Sequence, residues 1–209
     1  MYLRRSLETF VSETAARTPT PGGGSVTALI GALASALLSM VGNYTVDKDA
    51  YSGTRAETRQ LLGQLKEYTG QLCAFITEDI EAYEAYSQAR RLPKDKAQQQ
   101  EERKMRMQQA LRQAAQVPLR TAEASLQVIR VGARLVEIGN TQLISDVGVG
   151  VLAAHAALES AALNVRINLR YVKDESFAAE ASEHLQEMLT EGDDLTKAIL
   201  VRVRAGMSS

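Results

Sequence analysis

One aspartate lies within the apolar stripe of a long predicted helix. The stripe advances by alternating steps of four and three residues, through Leu65, Thr69, Leu72, Ile76, Asp79, Tyr83 and Tyr86. Because such steps keep side chains on one helix face, Asp79 is predicted to face the core. Burial raises the pKa of a carboxyl group, which suits a general acid or base that works near neutral pH. The alternative is an aspartate at the edge of the stripe that reaches solvent or pairs with an arginine.

A run of three glycines precedes an apolar helix, in the segment Pro21–Ser25. Glycines let the backbone approach a ligand closely, and the unpaired N–H groups at a helix N-terminus attract anions. The segment is neither a Walker loop nor the dinucleotide fingerprint, which has a glycine where Thr27 stands. The alternative is a simple helix entry with Ser25 as N-cap and glycines that serve packing alone. The candidate substrate-binding residues here are Gly22, Gly23, Gly24 and Ser25.

A third group of polar residues brackets a helix of mostly small and apolar residues. Asn140, Ser145 and Asp146 lie at its start, and Asn164 and Asn168 lie four residues apart near its end. Two amides on one helix face can read the hydrogen-bonding edge of a flat heterocycle, so these residues are candidates for substrate binding. The alternative is that the aspartate caps the helix start while the amides satisfy buried backbone groups.

The elements that position these residues are predicted to be helical almost throughout. Aromatic residues make up only 5% of the chain, and no alternating β-branched runs occur. We predict an all-α bundle of about six to seven helices, with one long helix and one buried central helix, in a single domain of residues 1–209. Pro118 is expected to kink or divide its helix. The predicted helices are Leu3–Ala16, Ser25–Val46, Thr54–Arg91, Asp95–Gln116, Pro118–Glu137, Thr141–Val172 and Ser176–Arg204.

Charge and composition argue against several classes of protein. The chain has 24 Lys and Arg against 25 Asp and Glu, whereas a dedicated nucleic-acid binder has a basic excess. One cysteine, Cys73, and two distant histidines, His155 and His184, predict neither a disulfide nor a metal site. Only Ser25–Val46 resembles a membrane span, and its small residues favour a buried core helix, so no membrane partner is expected. The N-terminus has no apolar region typical of a signal peptide, which predicts a cytoplasmic protein.

Four segments together resemble the cyclodeaminase/cyclohydrolase family, which is the C-terminal domain of formiminotransferase–cyclodeaminase and also occurs as stand-alone bacterial proteins. They are TPTPGGGSVTALIGALASALLSMVGN, EDIEAYEAYSQARRLPKD, QVPLRTAEASL and GNTQLISDVGVGVLAAHAALESAALNVRINL. The resemblance implies an all-helical homodimer with a folate substrate and no metal or redox cofactor. Family members release ammonia from 5-formimidoyl-tetrahydrofolate or hydrolyse the 5,10-methenyl bridge to the 10-formyl form.

The resemblance also implies roles for two aspartates. The family's catalytic aspartate, in the helix before the LPK loop, matches Asp79, and the aspartate of the SD motif matches Asp146 as a second catalytic carboxylate. The segment Asp47–Tyr51 departs from the family, because many relatives carry several lysines beside the tyrosine there. Its acidic residues argue against strong binding of a polyglutamate tail. The alternative function is a non-catalytic folate-binding or helical interaction protein of the same fold.

Overall fold

A computed structural model describes residues 2–208, which form six α-helices and three short 3₁₀ helices without a β-strand. The all-α fold predicted from the sequence is confirmed. The α-helices are α1 (Leu7–Ala15), α2 (Gly23–Val46), α3 (Arg55–Arg91), α4 (Ala97–Ile138), α5 (Ile144–Leu169) and α6 (Glu175–Met207). The 3₁₀ helices are Tyr2–Arg4, Asp49–Thr54 and Thr141–Leu143.

Four helices form the centre of the bundle. α2 lies between α3 and α5, α4 packs against the same two helices, and α6 covers α4 and α5. α2 and α5 run antiparallel, because Gly23 lies beside Asn164 while Leu38 lies beside Gly150. Withdrawal of apolar side chains from water is the main favourable contribution to such a fold. The fully buried side chains of the centre include Leu38, Leu72, Ile129, Val151 and Leu158.

α4 is one helix that continues through Pro118, where the sequence predicts a kink or two helices. A proline has no N–H to give to the carbonyl four residues earlier, which here is that of Ala114. In the structure the side-chain amide of Asn168 donates to the Ala114 carbonyl at 2.7 Å. A donor from α5 therefore replaces the missing backbone hydrogen bond, and α4 continues.

Each of the six α-helices begins one to four residues away from its predicted start. The Ser6 hydroxyl accepts a hydrogen bond from the N–H of Thr9, so α1 begins at Leu7 rather than Leu3. α2 begins at Gly23 with Gly22 as its N-cap. Ser25, the expected N-cap, therefore lies in the first turn of α2, and its hydroxyl points to another helix.

Two helical segments are long and apolar enough to cross a membrane by length and composition, Gly23–Val46 and Thr141–Leu169. The sequence analysis identifies only the first of them. In the most apolar 18-residue stretch of each segment, the buried share is 50% for the first segment and 39% for the second. Both helices pack along other helices, as a buried core helix does.

Candidate active site

The carboxylate of Asp79 lies at the N-terminus of α2. The Ser25 hydroxyl donates to Asp79 Oδ2 at 2.8 Å, and the Ser25 backbone N–H also bonds the carboxylate. The first N–H groups of a helix have no carbonyl partner within it and form the positive end of its dipole. An anion is therefore favoured at this helix start, and that anion is Asp79. Two candidates that are 54 residues apart in the sequence belong to one site.

Gly24 makes this contact possible. A Cβ at Gly24 would lie 2.0 Å from Asp79 Oδ1 and 2.5 Å from its Cγ. Since no side chain fits in that space, the glycine allows the carboxylate to reach the helix start. Gly22 is the N-cap of α2, and Gly23 lies beside the side-chain amide of Asn164. The glycine run therefore brings the start of α2 into contact with the side chains of Asp79 and Asn164.

The environment of Asp79 changes its proton affinity. Burial raises the pKa of Asp79 above the ordinary aspartate value, while the hydrogen bonds from Ser25 lower it by a smaller amount. Arg120, on the facing helix α4, pairs with Glu78, and within residues 2–208 no basic side chain forms an ion pair with Asp79. The interpretation of Asp79 as the partner of an arginine is therefore not supported. A carboxyl group with a raised pKa can exchange a proton near neutral pH.

Asp79 lies at the border between the core and the surface. Leu72 is fully buried and Ile76 is 2% exposed, whereas Tyr83 in the next turn of the stripe is 43% exposed. The reason is that α2 begins at Gly23, close to the level of Asp79, and does not extend over the following turn of α3. The apolar stripe predicted from the spacing is therefore buried only as far as Asp79, which leaves the carboxylate close to solvent.

The two amides, Asn164 and Asn168, lie at the same end of the bundle as Asp79. Asn164 Nδ2 donates to the Ser160 carbonyl at 3.1 Å and to Thr27 Oγ1 at 3.4 Å. Asn168 Nδ2 donates to the Ala114 carbonyl. The structure therefore supports the alternative in which the amides satisfy groups within the protein. Their part in substrate binding stays a prediction.

The other group of candidate residues lies at the opposite end of α2 and α5. The backbone N–H of Asn140 donates to Thr45 Oγ1 at 2.9 Å, near the C-terminus of α2. Ser145 and Asp146 lie in the first turn of α5. α2 rises about 30 Å between this end and its contact with Asp79. Within one chain these residues are too far away to act on the same atom as Asp79, and their roles stay predictions.

A cleft of about 820 Å³ lies between α3 and α4, but Asp79 does not line it. Its walls include Glu78, Gln113, Arg120 and Phe177. Glu78 and Asp79 are adjacent in α3 and therefore point in directions about 100° apart. Ala82, three residues beyond Asp79, also lines the cleft, so the cleft and the contact between Asp79 and Ser25 lie on adjoining faces of α3.

One group of polar side chains is brought together by the fold without a prediction from the sequence. His155 and Glu159 of α5 and Asp193 of α6 place one possible ligand atom each within 4.8 Å of one another. The spacing of four residues puts the first two on one helix face. Asp193 is 38 residues beyond His155, and only the packing of α6 on α5 shows that it belongs with them.

Comparison with known proteins adds independent information. The sequence profile described as formiminotransferase-cyclodeaminase matches residues 6–187. The methenyltetrahydrofolate cyclohydrolase of Methylorubrum extorquens is 38% identical over 200 residues, which are 96% of this chain and 96% of that protein. The formimidoyltransferase-cyclodeaminase of Sus scrofa is 34% identical over 203 residues. A crystal structure of formiminotetrahydrofolate cyclodeaminase from Thermotoga maritima matches with a TM-score of 0.89 and 29% identity, over 98% of both chains.

The all-helical fold of this chain is thus shared with folate-related proteins. The chain belongs to the formiminotransferase-cyclodeaminase family, as its sequence motifs indicate. The matching region covers 97% of this chain but only 38% of the Sus scrofa protein.

Proposed function

We propose that the protein is a methenyltetrahydrofolate cyclohydrolase, a cytoplasmic enzyme of tetrahydrofolate one-carbon metabolism that needs no cofactor. The observation that carries this proposal is the 38% identity to the Methylorubrum extorquens protein of that name, over 96% of both chains. The partly buried carboxylate of Asp79 supports it, because the reaction needs a group that accepts and returns a proton.

The proposed hydrolysis starts from a positively charged carbon that bridges N5 and N10 of the folate. The ionised carboxylate of Asp79 stabilises this positive charge and accepts a proton from the attacking water. The bond between the bridging carbon and N5 then breaks, N5 keeps the electron pair and takes up the proton held by Asp79, and the hydroxyl group on the carbon releases its proton as it becomes the formyl carbonyl. The product is 10-formyl-tetrahydrofolate, and the sum of the steps consumes one water and releases one proton.

A second candidate is formimidoyltetrahydrofolate cyclodeaminase. The observation that favours it is the close match to the Thermotoga maritima structure of that title, with a TM-score of 0.89. In this reaction the formimidoyl nitrogen is protonated, N10 attacks the formimidoyl carbon held on N5, and the departing nitrogen leaves as ammonia. Asp79 accepts the N10 proton and donates one to the leaving nitrogen. Both reactions therefore need one proton-transfer group beside the same carbon.

We also infer that the protein is a homodimer that associates through an apolar face formed by α2 and α5. Single exposed apolar residues are normal, but a contiguous apolar patch marks an interface, and a two-fold dimer buries such a patch on both chains. α2 and α5 pack side by side, so their exposed sides adjoin. The apolar face comprises Leu33, Tyr44, Val149, Leu152, Leu163 and Ile167, which are 46–66% exposed.

Two assays on the purified protein test the proposal and separate its alternatives. A cyclohydrolase accelerates the loss of the near-ultraviolet absorbance of 5,10-methenyl-tetrahydrofolate. A cyclodeaminase releases ammonia from 5-formimidoyl-tetrahydrofolate while that absorbance appears. If folded protein accelerates neither reaction above the protein-free rate, the enzyme proposal is wrong. Folate binding without turnover then favours the non-catalytic alternative.

A further inference from the structure

His155, Glu159 and Asp193 form a cluster where α5 meets α6. Each offers one nitrogen or oxygen that lies within 4.8 Å of the other two. His155 Nε2 is 2.8 Å from Asp193 Oδ1. This distance is that of a hydrogen bond; neighbouring ligand atoms around a tetrahedral ion with bonds of about 2.1 Å lie about 3.4 Å apart, so the two atoms separate by about 0.6 Å when they share an ion. Glu159 is one helical turn beyond His155, on the same face of α5.

Helix packing holds two of the three side chains in place. Gly192 lies so close to α5 that a Cβ there would be 2.4 Å from Leu158 Cδ2. This close approach sets the following residue, Asp193, opposite His155. The His155 side chain is only 22% exposed. Lys197 contacts Asp193 Oδ2 at 3.2 Å, which orients the carboxylate with Oδ1 toward the imidazole.

The donor atoms identify the class of ion. One imidazole nitrogen and two carboxylate oxygens suit a divalent transition-metal ion such as Zn²⁺, whereas Mg²⁺ and Ca²⁺ prefer oxygen ligands alone. Three protein ligands leave at least one coordination position for water. Glu159 is exposed, so an ion can enter from solvent. The two carboxylates also supply negative charge to a divalent cation, although Lys197 offsets part of that of Asp193.

We propose that His155, Glu159 and Asp193 bind one Zn²⁺-like ion per chain and that the ion links α5 to α6. The site is about 14 Å along α5 from Asn164, which lies beside the start of α2. It is therefore separate from Asp79 and plays a structural part. The proposal does not depend on the proposed folate chemistry, since metal binding and folate turnover are measured separately.

Calorimetric titration of ZnCl₂ into the full-length, metal-free protein without a polyhistidine tag tests the proposal. We expect one saturable Zn²⁺ per chain, and a higher melting temperature in its presence because the ion binds only the folded arrangement. His155→Ala should abolish saturable binding. Glu159→Gln changes an exposed side chain that does not affect folding, and it should weaken binding at least about tenfold.

The second histidine of the chain provides a matched control. His184 also contacts two carboxylates, but through opposite ring nitrogens, Nε2 to Glu123 at 3.2 Å and Nδ1 to Glu187 at 3.8 Å. These groups cannot converge on one ion, so His184→Ala should keep the wild-type affinity. The proposal is overturned if the wild type shows no saturable binding, if Glu159→Gln binds as the wild type does, or if His184→Ala loses the ion.

Discussion

Two opposing effects act on the carboxylate of Asp79. Burial raises its pKa, and the two donors of Ser25 at the helix start lower it by less. Burial is the larger effect, so the pKa of Asp79 lies above the ordinary aspartate value. Its position depends on Gly24, since any side chain at that residue would occupy the space of the carboxylate. The proton transfer that we propose for Asp79 therefore depends on Gly24 as well as on the aspartate.

Gly24→Ala should lower turnover by about 100-fold, because displacing a catalytic group by about 1 Å has an effect of that size. The added Cβ would lie 2.0 Å from Asp79 Oδ1, so the carboxylate has to move. Steady-state kinetics measures the loss of turnover, and thermal melting shows whether the variant stays folded. The matched control is Gly70→Ala in α3, where an added Cβ has nothing within 4 Å. Full activity in Gly24→Ala, or an equal loss in Gly70→Ala, would contradict the proposed role of Gly24.

The raised pKa of Asp79 predicts a pH-dependent effect on stability. The folded protein holds this proton more tightly than the unfolded chain, so stability is lost as pH rises from the ordinary value of 3.8 through the raised pKa. Asp79→Asn removes that loss. The variant should therefore be more stable relative to the wild type at neutral pH than at about pH 4, which means that the difference in the free energy of unfolding (variant minus wild type) increases with pH. Urea unfolding at both pH values measures it, and a difference that is constant or of opposite sign refutes the prediction.

At the scale of the helix, the spacing of residues in the sequence was sufficient to predict which side chains of one helix share a face. The steps of four and three residues place Leu72 and Ile76 on the buried face of α3 and Asp79 at the half-buried end of that face, as the structure shows. The continuity of α4 through Pro118 was not predictable in this way, because the compensating donor, Asn168, is on another helix. The contact between Asp79 and Ser25 likewise depends on how α2 and α3 pack, which spacing within one helix does not reveal.

Asn168→Ala should destabilise the fold by about 1–3 kcal/mol, because it leaves the Ala114 carbonyl without its partner. Urea unfolding measures the loss. The Pro118→Ala background supplies a control, since the new N–H can bond the Ala114 carbonyl within α4. In that background Asn168→Ala should lower the free energy of unfolding by a clearly smaller amount. Equal losses in both backgrounds would show that the amide does not compensate for the proline.

At the scale of the whole molecule, hydropathy alone does not distinguish burial within a chain from burial between chains. The sequence predicts α5 to be buried on most sides, yet Val149, Leu152 and Leu163 are about half to two-thirds exposed in the single chain. The residues of this apolar face add to the apolar character of the two segments that are long and apolar enough to cross a membrane. A second copy of the chain would cover these residues.

Light scattering should give a mass about twice the 22.7 kDa of one chain at micromolar concentration. Leu163→Glu places a charge in the apolar face and should produce monomers. Val201→Glu is the matched control, because Val201 of α6 is 65% exposed and Leu163 is 66% exposed. It should leave the dimer intact. A wild-type mass near that of one chain, or a dimer that survives Leu163→Glu, would contradict association through this face.

The turnover of Asp79→Asn, measured together with its melting temperature, tests the proposed role of Asp79 most directly. The amide is nearly isosteric and has no charge, so we expect a folded protein whose turnover of the folate substrate falls by about 10²–10⁴. Asp146→Asn, in the first turn of α5 at the opposite end of the bundle and about 30 Å from Asp79, should lose less activity. Wild-type turnover in folded Asp79→Asn, with activity abolished in Asp146→Asn, would show that Asp79 is not the proton-transfer group.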